Sequence, residues 1–223
     1  HIPQERIVKG NPNYEYRQKG KQATLSCGYG GGVGALKAMG AKMPEDEMQP
    51  LVDAWRAANP NIVAFWSALD RAARTVIRKK TSARVGKVTL YWQDDKMFMR
   101  LPSGRNLCYQ SPHFTENHFG NDAIGYYAPN AAGQMVVQET FGGKLAENAT
   151  QAIARDILAH ALLTLEKNGY PVVFHVHDEA VIEKPTGQGS LEEACRLMAI
   201  APDWAKDLPL RADGYECAYY RKD

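Results

Sequence analysis

The residues of this 223-residue chain best suited to chemistry begin with four at steps of four: Arg17, Lys21, Leu25 and Tyr29, followed at once by Gly30. Steps of four drift only about 40° around a helix, so one face presents two cations, then an apolar side chain, then an aromatic ring. Charges for phosphates and an apolar platform for a sugar and base are what a nucleoside triphosphate needs. A second set lies far along the chain at Val176-His177-Asp178-Glu179, inside a β-branched run. An acidic pair at the tip of a tight hairpin is rigidly held, and from there a carboxylate reaches a divalent cation. Taken alone, Asp178 is better explained as a turn former.

Two polar faces accompany these sets. From Arg71 to Lys87 there are seven basic residues (Arg71, Arg74, Arg78, Lys79, Lys80, Arg84, Lys87) and no acid. Arg71, Arg74 and Arg78 fall at i, i+3 and i+7, one helix face on which phosphates would be neutralised; a solvated helix end accounts for the same run equally well. Asn148, Gln151 and Arg155 repeat that spacing.

The elements that position these residues are legible from punctuation and period. Residues 15–28 are good helix formers stopped by Gly28, Gly30, Gly31 and Gly32. A second helix is expected over Glu45–Ala58, between Pro44 and Pro60, and a third over residues 61–80 with Val63, Trp66, Leu69, Ala73 and Ile77 as its apolar face. Residues 87–101 read as two strands joined at Gln93-Asp94-Asp95-Lys96, with Pro102-Ser-Gly-Arg105 as a turn. Residues 110–135, rich in Asn, Gly and Pro, read as an irregular excursion. The strongest helix is Lys144–Asn168, ended by Gly169-Tyr-Pro and followed by strands 172–176 and 180–183 around His177-Asp178-Glu179.

Composition sets the bounds. Apolar residues at 44% and charged residues at 23% describe a globular chain with a buried core. No apolar run approaches the roughly 20 residues of a membrane span. The four cysteines form no C-x-x-C pair, so neither a zinc ribbon nor a disulfide framework is indicated, and a reducing cytoplasm is the default compartment. The start at His1, with neither initiator Met nor signal peptide, leads us to expect part of a longer protein.

Read in order, these motifs resemble one family. Arg17-x3-Lys21-x7-Tyr29-Gly30 is similar to the fingers motif B of family A DNA polymerases, those like bacterial DNA polymerase I and its phage relatives. Val176-His177-Asp178-Glu179 is similar to their palm motif C, and Asn148-Ala-Thr-Gln151-Ala-Ile-Ala-Arg155 resembles the glutamine helix that precedes it. Gly142-Gly143-Lys144-Leu145 and Leu101-Pro-Ser-Gly-Arg105 look most like phage or prophage members. The resemblance covers essentially the whole chain, up to the C-terminal palm strands expected over Leu208–Tyr220.

The resemblance implies an α+β fold: helical fingers over residues 1–90, with the motif B helix at about 15–29, and the C-terminal palm over 91–223, an antiparallel sheet packed on helices with the motif C hairpin at about 172–183. It implies that Arg17 and Lys21 hold the phosphates of a deoxynucleoside triphosphate, that Lys21 assists pyrophosphate departure, and that Tyr29 and Gly30 face the templating base. Leu25 stands where the family usually has Phe or Tyr, a departure at the position that bears on ribose sensing and dideoxynucleotide acceptance, neither of which is carried over. Asp178 would ligate two magnesium ions with Glu179 nearby, His177 would lie near the primer terminus, and Gln151 with Asn148 and Arg155 would touch primer–template DNA. Arg71, Arg74 and Arg78 would add phosphate contacts. Glu147 occupies a position where the family more often places Asn, and no DNA contact is carried onto it. A second aspartate, supplied in the family by motif A, has no counterpart here. The expected partners are therefore primer–template DNA, a deoxynucleoside triphosphate, and an upstream polymerase segment carrying motif A and the thumb, and the isolated chain should not polymerise.

Three other readings are distinguishable. A single-subunit RNA polymerase shares Arg-x3-Lys and Tyr-Gly but more usually has Ser after His-Asp, where this chain has Glu179. A non-catalytic nucleic-acid-binding module would have no need of Arg17, Lys21 and Asp178 together. Gly30-Gly-Gly-Val-Gly-Ala35 fits a relaxed dinucleotide-binding pattern, but that fingerprint follows a strand, and here a cation-bearing helix precedes it.

Overall fold

The computed structural model describes residues 2–117 and 120–220. The fold is α+β, with six α-helices, a six-stranded antiparallel sheet and a two-stranded hairpin among the described residues. Helices α1 (Tyr14–Cys27), α2 (Val33–Ala38), α3 (Glu45–Ala58) and α4 (Pro60–Lys79) come first. A meander follows: β1 (Ser82–Val85), β2 (Val88–Gln93), β3 (Lys96–Arg100), β4 (Asn106–Glu116), β5 (Asp122–Pro129) and β6 (Met135–Thr140). Then come α5 (Gly142–Lys167), the hairpin β7 (Val172–Val176) and β8 (Glu179–Ile182), and α6 (Leu191–Met198). No helix is long and apolar enough to cross a membrane, among the described residues.

The chain forms two compact units. One comprises the residues up to Arg100 together with Asn106–Ala149; the other comprises Leu101–Arg105 and the residues from Thr150 onward. In the first, α4 begins with Pro60 at its first turn and ends on Lys80 in the left-handed conformation (φ 51°). Its apolar stripe, with Leu69, Ala73 and Val76 fully buried, lies against β1 and β2. Strands β2 and β3 alternate inward and outward, so Leu90, Met97 and Met99 are buried and the residues between them face away. A smaller core of Cys27, Leu36, Met48 and Val52 ties α1, α2 and α3 together. Burial pushes the Cys27 thiol above its ordinary pKa. In the second unit Leu165, Tyr170, Ala194 and Leu197 form a core on which Val172, Ala180 and Ile182 of the hairpin pack.

Three sequence expectations are corrected. Residues 110–135 are not an irregular excursion: they hold most of β4, all of β5 and the start of β6, while residues 118 and 119 of that stretch lie outside the described residues. The Asn and Gly residues there make hairpin turns. Asn130 Oδ1 accepts from the backbone N–H groups of Ala132 and Gln134, at 2.9 and 3.0 Å, and Gly133 takes φ 77°. Residues 208–220 form no strand; that segment is irregular and its side chains are mostly exposed. The helix read over residues 61–80 is α4, but a strand the sequence did not indicate, β1, precedes the first one read from residue 87.

Candidate functional site

Helix α1 presents Arg17, Lys21 and Leu25 along one exposed face, while Ala23, Ser26 and Cys27 are buried on the other. Among the described residues neither Arg17 nor Lys21 forms an ion pair or side-chain hydrogen bond. Their neighbour Lys19 is different, standing 3.7 Å from Glu15 and over the Tyr16 ring. Two uncompensated cations one helical turn apart, with Leu25 47% exposed beyond them, form a surface that attracts an anion with an apolar appendage.

The helix ends earlier than its spacing suggests. Gly28 closes α1 by donating to the Thr24 carbonyl (2.8 Å), and Gly30 turns the chain at φ 85°. Tyr29 therefore sits in the turn beyond the helix, off the stripe of Arg17, Lys21 and Leu25. That turn is fixed from outside. Trp66 Nε1 donates to the Gly28 carbonyl at 3.1 Å and Arg56 Nη2 to the Gly31 carbonyl at 3.2 Å. The first residues of α5 complete the clamp: a Cβ on Gly143 would lie 2.0 Å from the Tyr29 carbonyl oxygen, and one on Gly142 2.1 Å from that of Trp66. The sequence placed Trp66 only on an apolar helix face and Gly142-Gly143 only in a phage-like phrase, and gave neither of them nor Arg56 a part in this turn, although two adjacent glycines opening a helix are a signal of close backbone approach.

Of the predicted DNA-contacting cations, Arg71 and Arg78 are exposed on α4, the latter with its guanidinium 5.4 Å above the Phe114 ring. Arg74 is not available in the same way. Its Nε pairs with Asp70 at 2.7 Å and its Nη2 donates to the Asp122 carbonyl at 3.1 Å, so its charge is engaged within the fold. Asn148 is likewise engaged: its amide donates to Tyr109 Oη at 3.1 Å. Tyr109 is only 2% exposed, and burial pushes its pKa up to about 12.

In the second unit, Gln151 and Arg155 are exposed on α5, and Arg155 Nη2 lies 3.4 Å from His175 Nε2. Val176 pairs with Glu179, leaving His177 and Asp178 as a two-residue turn, and His177 is left-handed at φ 54°. Asp178 thus sits at an exposed hairpin tip, with Glu179 beginning the returning strand and Tyr220 Oη 3.5 Å from its Oε2. Adjacent exposed carboxylates are hard oxygen donors, a set suited to one side of a magnesium site. Among the described residues no three His, Cys, Asp or Glu side chains converge to hold a metal ion.

No protein-family profile and no solved structure matches the chain. Over its whole length, however, it is 42% identical to the DNA polymerase of Bacillus phage SP02, and it spans 35% of that protein. That likeness takes in every element described above, and what the chain resembles is a stretch of about a third of that phage DNA polymerase.

Proposed function

We propose that the chain is the fingers and C-terminal palm portion of a family A DNA polymerase, fingers over residues 1–90 and palm over 91–223, which adds deoxynucleotides to a primer 3′-hydroxyl under template direction. The observation that carries this reading is the unpaired Arg17–Lys21 face in a chain whose full length is 42% identical to a phage DNA polymerase. Arg17 and Lys21 bind the triphosphate and neutralise charge that grows as pyrophosphate leaves. Leu25 packs against the sugar. Tyr29 and Gly30, clamped by Trp66 and the Gly142-Gly143 pair, form the surface on which the new base pair is tested. Gln151, Arg155 and His177 hold the primer–template duplex.

Asp178, with Glu179 beside it, would hold magnesium, which supplies charge neutralisation at the transferred phosphoryl group and activates the primer hydroxyl. A two-metal mechanism needs a further aspartate, which we assign to a polymerase segment outside this chain. The isolated chain then binds deoxynucleoside triphosphate and DNA but does not extend a primer.

The test uses a polymerase that carries this chain together with the rest of its length. Asp178→Asn abolishes primer extension and leaves duplex affinity within about twofold, because the carboxylate serves the metal and repels phosphates. Lys21→Ala lowers the extension rate and weakens triphosphate binding together. Extension that persists in Asp178→Asn, or triphosphate affinity indifferent to Lys21, would place the active site elsewhere.

A further inference from the structure

We infer that the outer face of the six-stranded sheet is a platform for single-stranded nucleic acid, on which unpaired bases stack against Tyr91, Phe98 and Tyr127 while Arg84, Lys96 and Arg100 hold the backbone.

The face is defined by register. Tyr91 pairs with Phe98, Phe98 with Cys108, Lys96 with Gln110, and Gln110 with Tyr127, and directly paired residues share a face. The opposite side is the one that packs: Leu90, Met97 and Met99 alternate with these residues and are buried. A one-residue bulge interrupts β4 between Gln110 and His113, with Ser111 left-handed at φ 44°. The extra residue returns His113 to the outer face, where its ring lies 5.9 Å from that of Tyr127. Gly125 confirms the arrangement, since a Cβ there would meet His113 Nε2 at 2.9 Å and Val137 Cγ1 at 3.2 Å.

What stands on this face is unusual for a surface exposed to water. The Tyr91 and Phe98 rings are stacked, with centroids 5.3 Å apart and planes 20° from parallel, and both are partly exposed. The Arg100 guanidinium lies 5.4 Å from the Tyr91 centroid. Tyr127 is 43% exposed and its partner Val137 48%. Strands two apart are about 10 Å apart, so Phe98 and Tyr127 offer two separate stacking positions.

Charge selects the occupant. The paired positions of this face on β1 to β5 carry Arg84, Lys96 and Arg100 and no carboxylate. Of the acids beside it, Glu139 stands on the same face at the β6 edge, paired with Gly125, and Asp94 and Asp95 form the β2–β3 turn. Rings interleaved with cations suit a polyanion with accessible π-faces, which is an unpaired nucleic-acid strand; a duplex hides its base faces and would use the cations alone. A second copy of this chain would instead bring like charges together.

This inference does not rest on the triphosphate and metal reading above, because it uses none of Arg17, Lys21 or Asp178. The experiment is titration of the 223-residue chain with fluorescent oligothymidylate and with duplex DNA of equal length, at low and moderate salt. The double variant Tyr91→Leu, Phe98→Leu keeps apolar bulk and removes the rings; it should weaken oligothymidylate binding about tenfold or more while duplex affinity moves less than twofold. Arg84→Glu with Lys96→Glu reverses charge at two surface positions, losing besides only the exposed hydrogen bond from Arg84 Nε to the Gly86 carbonyl, and should weaken the oligonucleotide similarly, with a shallower salt dependence. That second pair decides the matter if the leucine variant does not fold. Cross-links from an iododeoxyuridine oligonucleotide, mapped by mass spectrometry, should fall on Tyr91, Phe98 or Tyr127. Affinities within twofold of the parent in both variants, cross-links confined to α1 and α5, or a dimer that both variants dissolve with oligonucleotide affinity intact would overturn it. Loss of triphosphate binding with retained oligothymidylate binding would instead sink the polymerase reading alone.

Discussion

The backbone of Gly143 runs against the carbonyl of Tyr29 so closely that a single added carbon would lie 2.0 Å from its oxygen. The turn after the cation-bearing helix and the start of α5 are therefore one packed object, and Gly143 is where it admits no side chain. Gly143→Ala should cost at least about 2 kcal/mol by forcing the two backbones apart. In thermal unfolding this variant should melt several degrees below the parent. Gly20→Ala is the contrast, because its Cβ meets nothing within 4 Å inside a helix; it should stabilise by about 0.5–1 kcal/mol.

The three arginines of α4 should separate into two kinds. Arg74→Ala leaves Asp70 and the Asp122 carbonyl without their donor, and should lower stability by about 1–2 kcal/mol. Arg71→Ala and Arg78→Ala should leave the melting temperature nearly unchanged and each remove about one unit from the slope of log affinity for DNA against log salt. Parallel denaturation and salt-titration series on the three variants check this.

The turn between β7 and β8 holds His177 in a conformation L-residues avoid. His177→Gly should stabilise by up to about 1 kcal/mol, whereas the β-branched His177→Val should destabilise by about 1–2 kcal/mol. Chemical denaturation ranks the two. Equal stabilities would mean that the turn adopts another conformation in solution.

Tyr109 gives the fold a defined alkaline weakness. Its pKa is about 12 in the native state against roughly 10 when unfolded, so between those values the unfolded chain has released a proton that the native chain retains. Stability is then undiminished below about pH 10 and falls as pH rises toward 12, by about 2–3 kcal/mol in all for this one group. Tyr109→Phe should lack that share of the decline. The difference between the two proteins' stability-versus-pH curves isolates it from other titrating tyrosines and lysines.

How much was legible in the sequence depended on whether the signal was local. Pro44, Pro60 and the glycine run bounded α1, α3 and α4 to within a residue or two, and His177-Asp178 announced its hairpin. Strands β2 and β3 are legible, but β4 to β6 are not, because turn residues outweigh them: Asn117, Gly120, Asn130 and Gly133 read as loop, and the bulge at Ser111 breaks the alternation of β4. Helix α6 carried a readable cap, since Ser190 Oγ accepts from the Glu193 N–H at 3.1 Å, the first half of a capping box. Its glutamate side chain, however, accepts from the Tyr170 hydroxyl. The engagement of Arg74 was half legible, since Asp70 stands four residues before it on the same helix, but that of Asn148 was not legible in any window. Asp70 stood one residue outside the basic run, and the Asp122 carbonyl and Tyr109 became neighbours only through the sheet.

Every strand from β1 to β6 pairs with the strand next to it in sequence. Such a sheet closes only short loops as it forms, so little chain entropy opposes each step and growth proceeds hairpin by hairpin. On the ribosome, the strands β1 to β6 would be able to assemble as they emerge, leaving Asn148 of α5 to find the Tyr109 hydroxyl on a sheet already built.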